Sequence, residues 1–156
     1  MKKLSIAALF SITLAGCMGY VPGQQSYWDA QINEMCERDG GVTIYEQIVV
    51  STEQAVTLPK VGDFFGVAPE ALARPEEPAF IRTQITQIRS GNPSVVREKQ
   101  EIIRRSDKQI VGQVVRYGRG GGDFPSFAHP STFSCPEYMK IYEGIHKLYR
   151  VEEIRK

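Results

Sequence analysis

The sequence predicts an α+β fold, an N-terminal helix packed on an antiparallel sheet of about four strands. Three observations carry this. Trp28, Ile32, Met35 and Cys36 recur at helical spacing, so their side chains share one helical face. The runs 42–51, 79–89 and 109–117 are rich in Val, Ile and Thr, which suit a pleated, half-buried surface. Turn-forming clusters separate the later runs by only a few residues, and short connections favour antiparallel neighbours.

The elements follow in chain order. Met18 to Gln25 holds Pro22 and Gly23, has no periodicity and reads as a tether. Ser26 opens the helix, with Asp29 at capping-box spacing, and Gly40 stops it. Its Trp and Met read as core rather than as a ligand box. Val42 to Ser51 reads as one strand. Thr52 to Pro78 holds Pro59, Pro69, Pro75 and Pro78 and reads as a long loop. Within it, Pro69 can open a single helical turn, and Phe64 and Phe65 plug an edge of the core. Ala79 to Arg89 is a second strand, and Ser90-Gly91-Asn92-Pro93 a turn. Ser94 to Arg105 mixes helix formers with Val and Ile pairs. A strand is the economical choice there, because turns flank it and strands lie on both sides. Gln109 to Tyr117 completes the meander. Gly118 to Pro130 is a Gly- and Pro-rich loop. Ser134 and Glu137 then have the spacing of a helix start, and Tyr138, Ile141, Tyr142, Ile145 and Leu148 form a helical stripe. Gly144 weakens that stripe and leaves a C-terminal hairpin as the alternative.

The beginning of the chain is an address. Lys2 and Lys3 precede Leu4 to Ala15, 12 residues that are apolar apart from Ser5, Ser11 and Thr13. As a helix the run measures about 18 Å, short of the roughly 30 Å of a bilayer core. The pattern is that of a secretory signal. Leu14-Ala15-Gly16-Cys17 resembles a bacterial lipobox. The resemblance implies acylation of the Cys17 thiol, cleavage before it, and acylation of the new amino terminus. It divides the chain into a signal peptide (1–16), a tether (17–25) and a single globular domain (26–156). It also implies a lipid-anchored protein of the cell envelope. Met18, where an Asp would favour inner-membrane retention, points to the outer membrane, facing the periplasm. If Cys17 is acylated, Cys36 and Cys135 remain, and an oxidising compartment pairs them. That disulfide ties the C-terminal segment back to the first helix.

Charge is balanced overall, with 19 Lys and Arg against 18 Asp and Glu, which gives no global reason to expect a nucleic-acid partner. The distribution is uneven. Residues 17–81 carry 3 basic and 10 acidic side chains, and residues 82–119 carry 9 basic and 3 acidic. The basic stretch is either a face for an anionic cell-wall polymer or a set of partners for the acidic N-terminal half. The sequence favours the second.

Candidate chemistry concentrates in the glycine loop, where Arg119, Asp123, Phe124 and His129 form a possible binding loop. No phosphate cradle is present, because Asp123 follows Gly122 where a Lys-Ser or Lys-Thr would be needed. Asp123 and His129 with Ser126 or Ser131 hint at a hydrolase, but no G-x-S-x-G elbow holds either serine. The two histidines, His129 and His146, form no HExxH or HxH pattern, so no metal or other cofactor is expected. The stretches Cys36 to Glu46 and Gly121 to Pro136 resemble small uncharacterised proteobacterial lipoproteins, a resemblance that carries no activity. The leading expectation is a non-enzymatic binding or structural module, with an envelope protein or anionic cell-wall polymer as partner. The alternatives are an inhibitor of a cell-wall lytic enzyme and a periplasmic hydrolase built on His129 and Asp123.

Overall fold

The computed structural model describes residues 24–122 and 131–152. Cys17 and the signal region lie outside them, as do Asp123, Phe124 and His129 of the glycine loop. The described chain folds as α+β, as its sequence predicts.

Helix α1 spans Gln24–Asp39 and buries Ile32 and Cys36, with Trp28 and Met35 packed partly beside them. It is already helical at Gln24, earlier than the Ser26 cap that the spacing suggests. Asp29 is therefore released from capping and bonds elsewhere. Gly40 follows because its neighbour comes too close for a side chain. A Cβ there would lie 2.6 Å from the Cys36 sulfur.

The run 42–51 is two strands, not one. Strand β1 (Gly41–Ile44) pairs with the main sheet, and β2 (Ile48–Ser51) leaves it. Between them the N–H groups of Tyr45 and Glu46 both donate to the Val111 carbonyl, at 2.8 and 3.1 Å, where the main sheet carries an irregularity. The expected loop 52–78 is more ordered than its prolines suggest. Helix α2 (Thr52–Thr57) starts at a Ser51–Gln54 capping box. A small hairpin of β3 (Lys60–Val61) and β4 (Phe64–Phe65) follows. At Pro69 the chain makes a hydrogen-bonded turn, with Leu72 and Ala73 donating to the Pro69 carbonyl at 2.9 Å.

Strands β5 (Ala79–Arg89), β6 (Ser94–Arg104) and β7 (Ile110–Gly120) form the antiparallel meander. Strand β8 (Thr132–Cys135) adds the fifth member. It shares one edge of β7 with β1. β1 pairs with Gly112 to Val115, and β8 with Tyr117 to Gly120. Helix α3 spans Tyr138–His146. Its cap is Glu137 rather than Ser134, because β8 holds the chain extended through Cys135. The stripe end, Leu148, lies beyond the helix and is fully buried. The chain then runs into β9 (Tyr149–Glu152), parallel to β2, which replaces the hairpin alternative.

Two apolar clusters fill the two sides of the sheet. One joins Ile102 and Val114 to Val50, Ile141, Ile145 and Leu148. The other joins Val95, Val115 and Tyr117 to α1. Cys36 and Cys135 are disulfide-bonded, with Cα atoms 6.0 Å apart, fastening α1 to the end of β8.

Candidate functional site

Alternation along β6 and β7 decides what each sheet face carries. Val95 and Arg97 stand opposite Arg119 and Tyr117, and α1 lies on that side. On the other side Glu98, Gln100 and Ile102 stand opposite Arg116, Val114 and Gly112. Helix α3 and the β3–β4 hairpin cover part of this second face. A cavity of about 260 Å³ remains beneath them, walled by Val61, Val67, Ile81, Val114, Ile141 and Ile145. A second depression of about 340 Å³ opens over Gly118 and Gly120, with Ser94, Thr132 and Ser134 at its sides. The two meet at Glu98, Arg116 and Tyr138, which line both.

That threshold is a chain of polar contacts. Arg116 Nη2 donates to Glu98 Oε2 at 2.5 Å, and Gln100 Nε2 donates to Glu98 Oε1 at 2.7 Å. The Tyr138 ring lies 4.4 Å from the Arg116 guanidinium carbon, a cation–π contact. Both partners of the ion pair are about one-fifth exposed. Pockets of this kind, apolar with a few placed polar groups, suit ligand binding. At about 260 Å³ the apolar part lies just below the usual range of about 300–1,000 Å³. That volume would accommodate a small apolar group. Its roof is fixed by His146, whose Nδ1 accepts the Phe65 N–H at 3.0 Å while the imidazole stacks on the Phe65 ring. That contact explains the edge-plugging role of the phenylalanine pair.

Of Arg119, Asp123, Phe124 and His129, which the sequence groups as a possible binding loop, only Arg119 lies among the described residues. Arg119, grouped with the glycine loop by sequence, is the penultimate residue of β7 and its side chain is buried. Its Nε donates to Asp29 Oδ1 at 2.6 Å, and its Nη1 reaches the carbonyls of Gly121 and Ser131. It anchors α1 and the loop ends, and it also lines the second depression. The far end of α1 is held likewise. Tyr117 Oη donates to Asp39 Oδ1 at 2.7 Å and Arg97 Nη2 to Oδ2 at 2.8 Å. Burial alone would raise the Asp39 carboxyl, but the bonds from Tyr117 and Arg97 outweigh it and hold it below its ordinary value.

The basic stretch is committed within the fold. Arg82, Arg97, Arg104 and Arg119 pair with Glu70, Asp39, Glu46 and Asp29 of the acidic N-terminal half. Lys99 and Arg116 pair with Glu101 and Glu98. Arg89 donates to the Pro93 carbonyl and lies over Trp28, and Arg105 and Lys108 lie over Phe80. Among the described residues no group of three or more His, Cys, Asp or Glu could hold a metal ion, and no helix is long and apolar enough to cross a membrane.

Glu98, Arg116 and Tyr138 were not legible as a site in the sequence. Alternation in "SVVREKQEIIRR" does put Glu98 and Gln100 on one face, but the opposing Arg116 follows only from the register of β7. No family model, no curated protein and no solved structure matches the chain.

Proposed function

We propose that the protein is a lipid-anchored envelope module that binds, without covalent chemistry, a partner presenting an apolar group to the cavity beneath α3. The lining of that cavity carries the reading. Its walls are mostly Val, Ile, Pro and Tyr side chains, and among the described residues its charged groups are Glu98 and Arg116, which neutralise each other. Such a site favours desolvating an apolar group over moving protons. The partner is another envelope protein rather than an anionic polymer, because the basic side chains of 82–119 have partners inside the fold. The anchor rests on Leu14-Ala15-Gly16-Cys17.

The cavity is tested with the apolar dye N-phenyl-1-naphthylamine. Saturable fluorescence enhancement is expected with the wild type. Gln100→Trp, which places an indole on the cavity floor, should weaken it by about tenfold or more, roughly 1.4 kcal/mol. Non-saturable uptake, or equal affinity in a normally melting variant, refutes the site. A photo-crosslinker at Tyr138 in intact envelopes then identifies the partner. Mass spectrometry of the N-terminal peptide should show an acylated Cys17, and Cys17→Ser should abolish that processing.

A further inference from the structure

The outer edge of β5 carries backbone groups with a defined alternation. The N–H of Ile81 donates to the Ala68 carbonyl at 2.9 Å, and its carbonyl accepts from the Glu70 N–H at 2.8 Å. The backbone polar groups of Ile81 therefore point away from β6. Antiparallel pairing alternates such groups with period two. Those of Thr83, Ile85 and Gln87 consequently lie along the same outer edge, where no described residue pairs with them. Residues 82–88 are all exposed, and Ile85 keeps 66% of its surface accessible. Natural edges are usually blunted by charge, proline or covering segments. Here the stretch Thr83 to Ile88, "TQITQI", carries no charge and no proline. The bulge after Gln87 and the turn at 68–70 limit the open edge to these residues.

We propose that this edge pairs with the same edge of a second copy, antiparallel across a two-fold axis at Ile85. The register follows from the geometry. Faces of the sheet are preserved across a two-fold perpendicular to it, so residues of like parity must oppose each other. Only the register centred on Ile85 matches all the outward-pointing residues with one another. Ile85 meets Ile85 of the second copy, Thr83 meets Gln87, and Gln87 meets Thr83. Each pair exchanges both backbone bonds. A shift by one residue in either direction along each strand sends Gln87 or Thr83 to a position already bonded to 68–70 or lost to the bulge. Side chains agree with this register. The two Ile85 side chains bury each other on the cavity-bearing face, and Gln84 meets Thr86 on the other. The nearest charge, Arg82, falls opposite Ile88 and is already paired with Glu70. No like charges oppose each other. The isologous contact closes, so it yields a dimer rather than a fibre. Thr83 also lines the cavity, but the pairing uses its backbone groups, so the proposal does not rest on what the cavity binds.

The test uses the full chain in detergent micelles. Light scattering should show a concentration-dependent dimer, and Ile85→Lys should be monomeric, with the melting temperature of the wild type measured at concentrations too low for it to dimerise. Cα atoms of such a pair stand about 5.5 Å apart, within the roughly 4.4–6.8 Å that a disulfide spans. Ile85→Cys should therefore form an intermolecular disulfide under mild oxidation, at least about tenfold faster than Ile88→Cys, whose copies stand far apart in this register. A wild type that stays monomeric, equal crosslinking at both positions, or capture of a different protein's strand on this edge overturns the proposal.

Discussion

Gly144 sits inside α3, where glycine costs about 1 kcal/mol relative to alanine, and at the level of sequence it counts against a helix. The structure gives the reason for it. A Cβ there would lie 2.6 Å from the Cβ of Val42, so the helix touches β1 through bare backbone. Gly144→Ala should accordingly destabilise the protein, by about 1–3 kcal/mol of overpacking set against the propensity gain. Chemical denaturation measures it, and a stabilised variant would show that the contact relaxes freely. Asp39 makes a second residue-level prediction. Its carboxyl titrates below its ordinary value, held there by Tyr117 and Arg97 against the opposing effect of burial. A depressed native pKa gives stability that is complete above the unfolded value of about 3.9 and fades as pH falls through the native one. Asp39→Asn should therefore lower stability at neutral pH and flatten the acid limb of the stability curve. Melting temperatures between neutrality and the onset of acid unfolding check this, and an unchanged limb would count against the network. Neither contact is legible in sequence. The helical face of α1 is, because Trp28, Ile32, Met35 and Cys36 obey a local period. Val42 meets Gly144 only through the tertiary fold.

At the scale of elements, the long strands were readable and the short ones were not. β5, β6 and β7 each carry enough β-branched residues to show their pattern. Strands β3, β4 and β9 have two to four residues each, too few for any periodicity to emerge. Helix α2 did carry a signal. Ser51 and Gln54 stand at capping-box spacing, hidden by the reading of 42–51 as one strand. The break inside that run depends on Val111 accepting from both Tyr45 and Glu46, a tertiary event. The bond between Cys36 and Cys135 links an early helix to a late strand across a separation of 99 residues. In the chain-entropy model a loop of that size contributes about 4–5 kcal/mol, reduced by any native strain. Reduction should lower the melting temperature by roughly 5–15 °C. Cys36→Ser and Cys135→Ser should destabilise alike, and the double variant no more than either alone. Two titratable thiols in the folded, oxidised protein would sink the expectation.

Across the whole molecule, the charge pattern of the sequence becomes architecture. An acidic first half and a basic middle are joined by ion pairs from four separate arginines. The sequence favours this pairing over polymer binding, and the fold supplies the individual partners. Exposed pairs of this kind stabilise by at most about 1 kcal/mol each. The Arg119–Asp29 pair, whose guanidinium is buried, instead matters by what its loss leaves behind, an uncompensated buried charge. Pairing of β2 with β9 has a temporal meaning as well. Ile48 aligns with Tyr149, and Ser51 with Glu152, so the smaller sheet cannot form before residues 149–152 are synthesised. Until they arrive, Val50 has no strand beside it and Leu148 is not yet there to cover the core. A chain whose β9 has not yet left the ribosome therefore cannot close this fold. Its early segments remain unlocked until that late strand is free to pair.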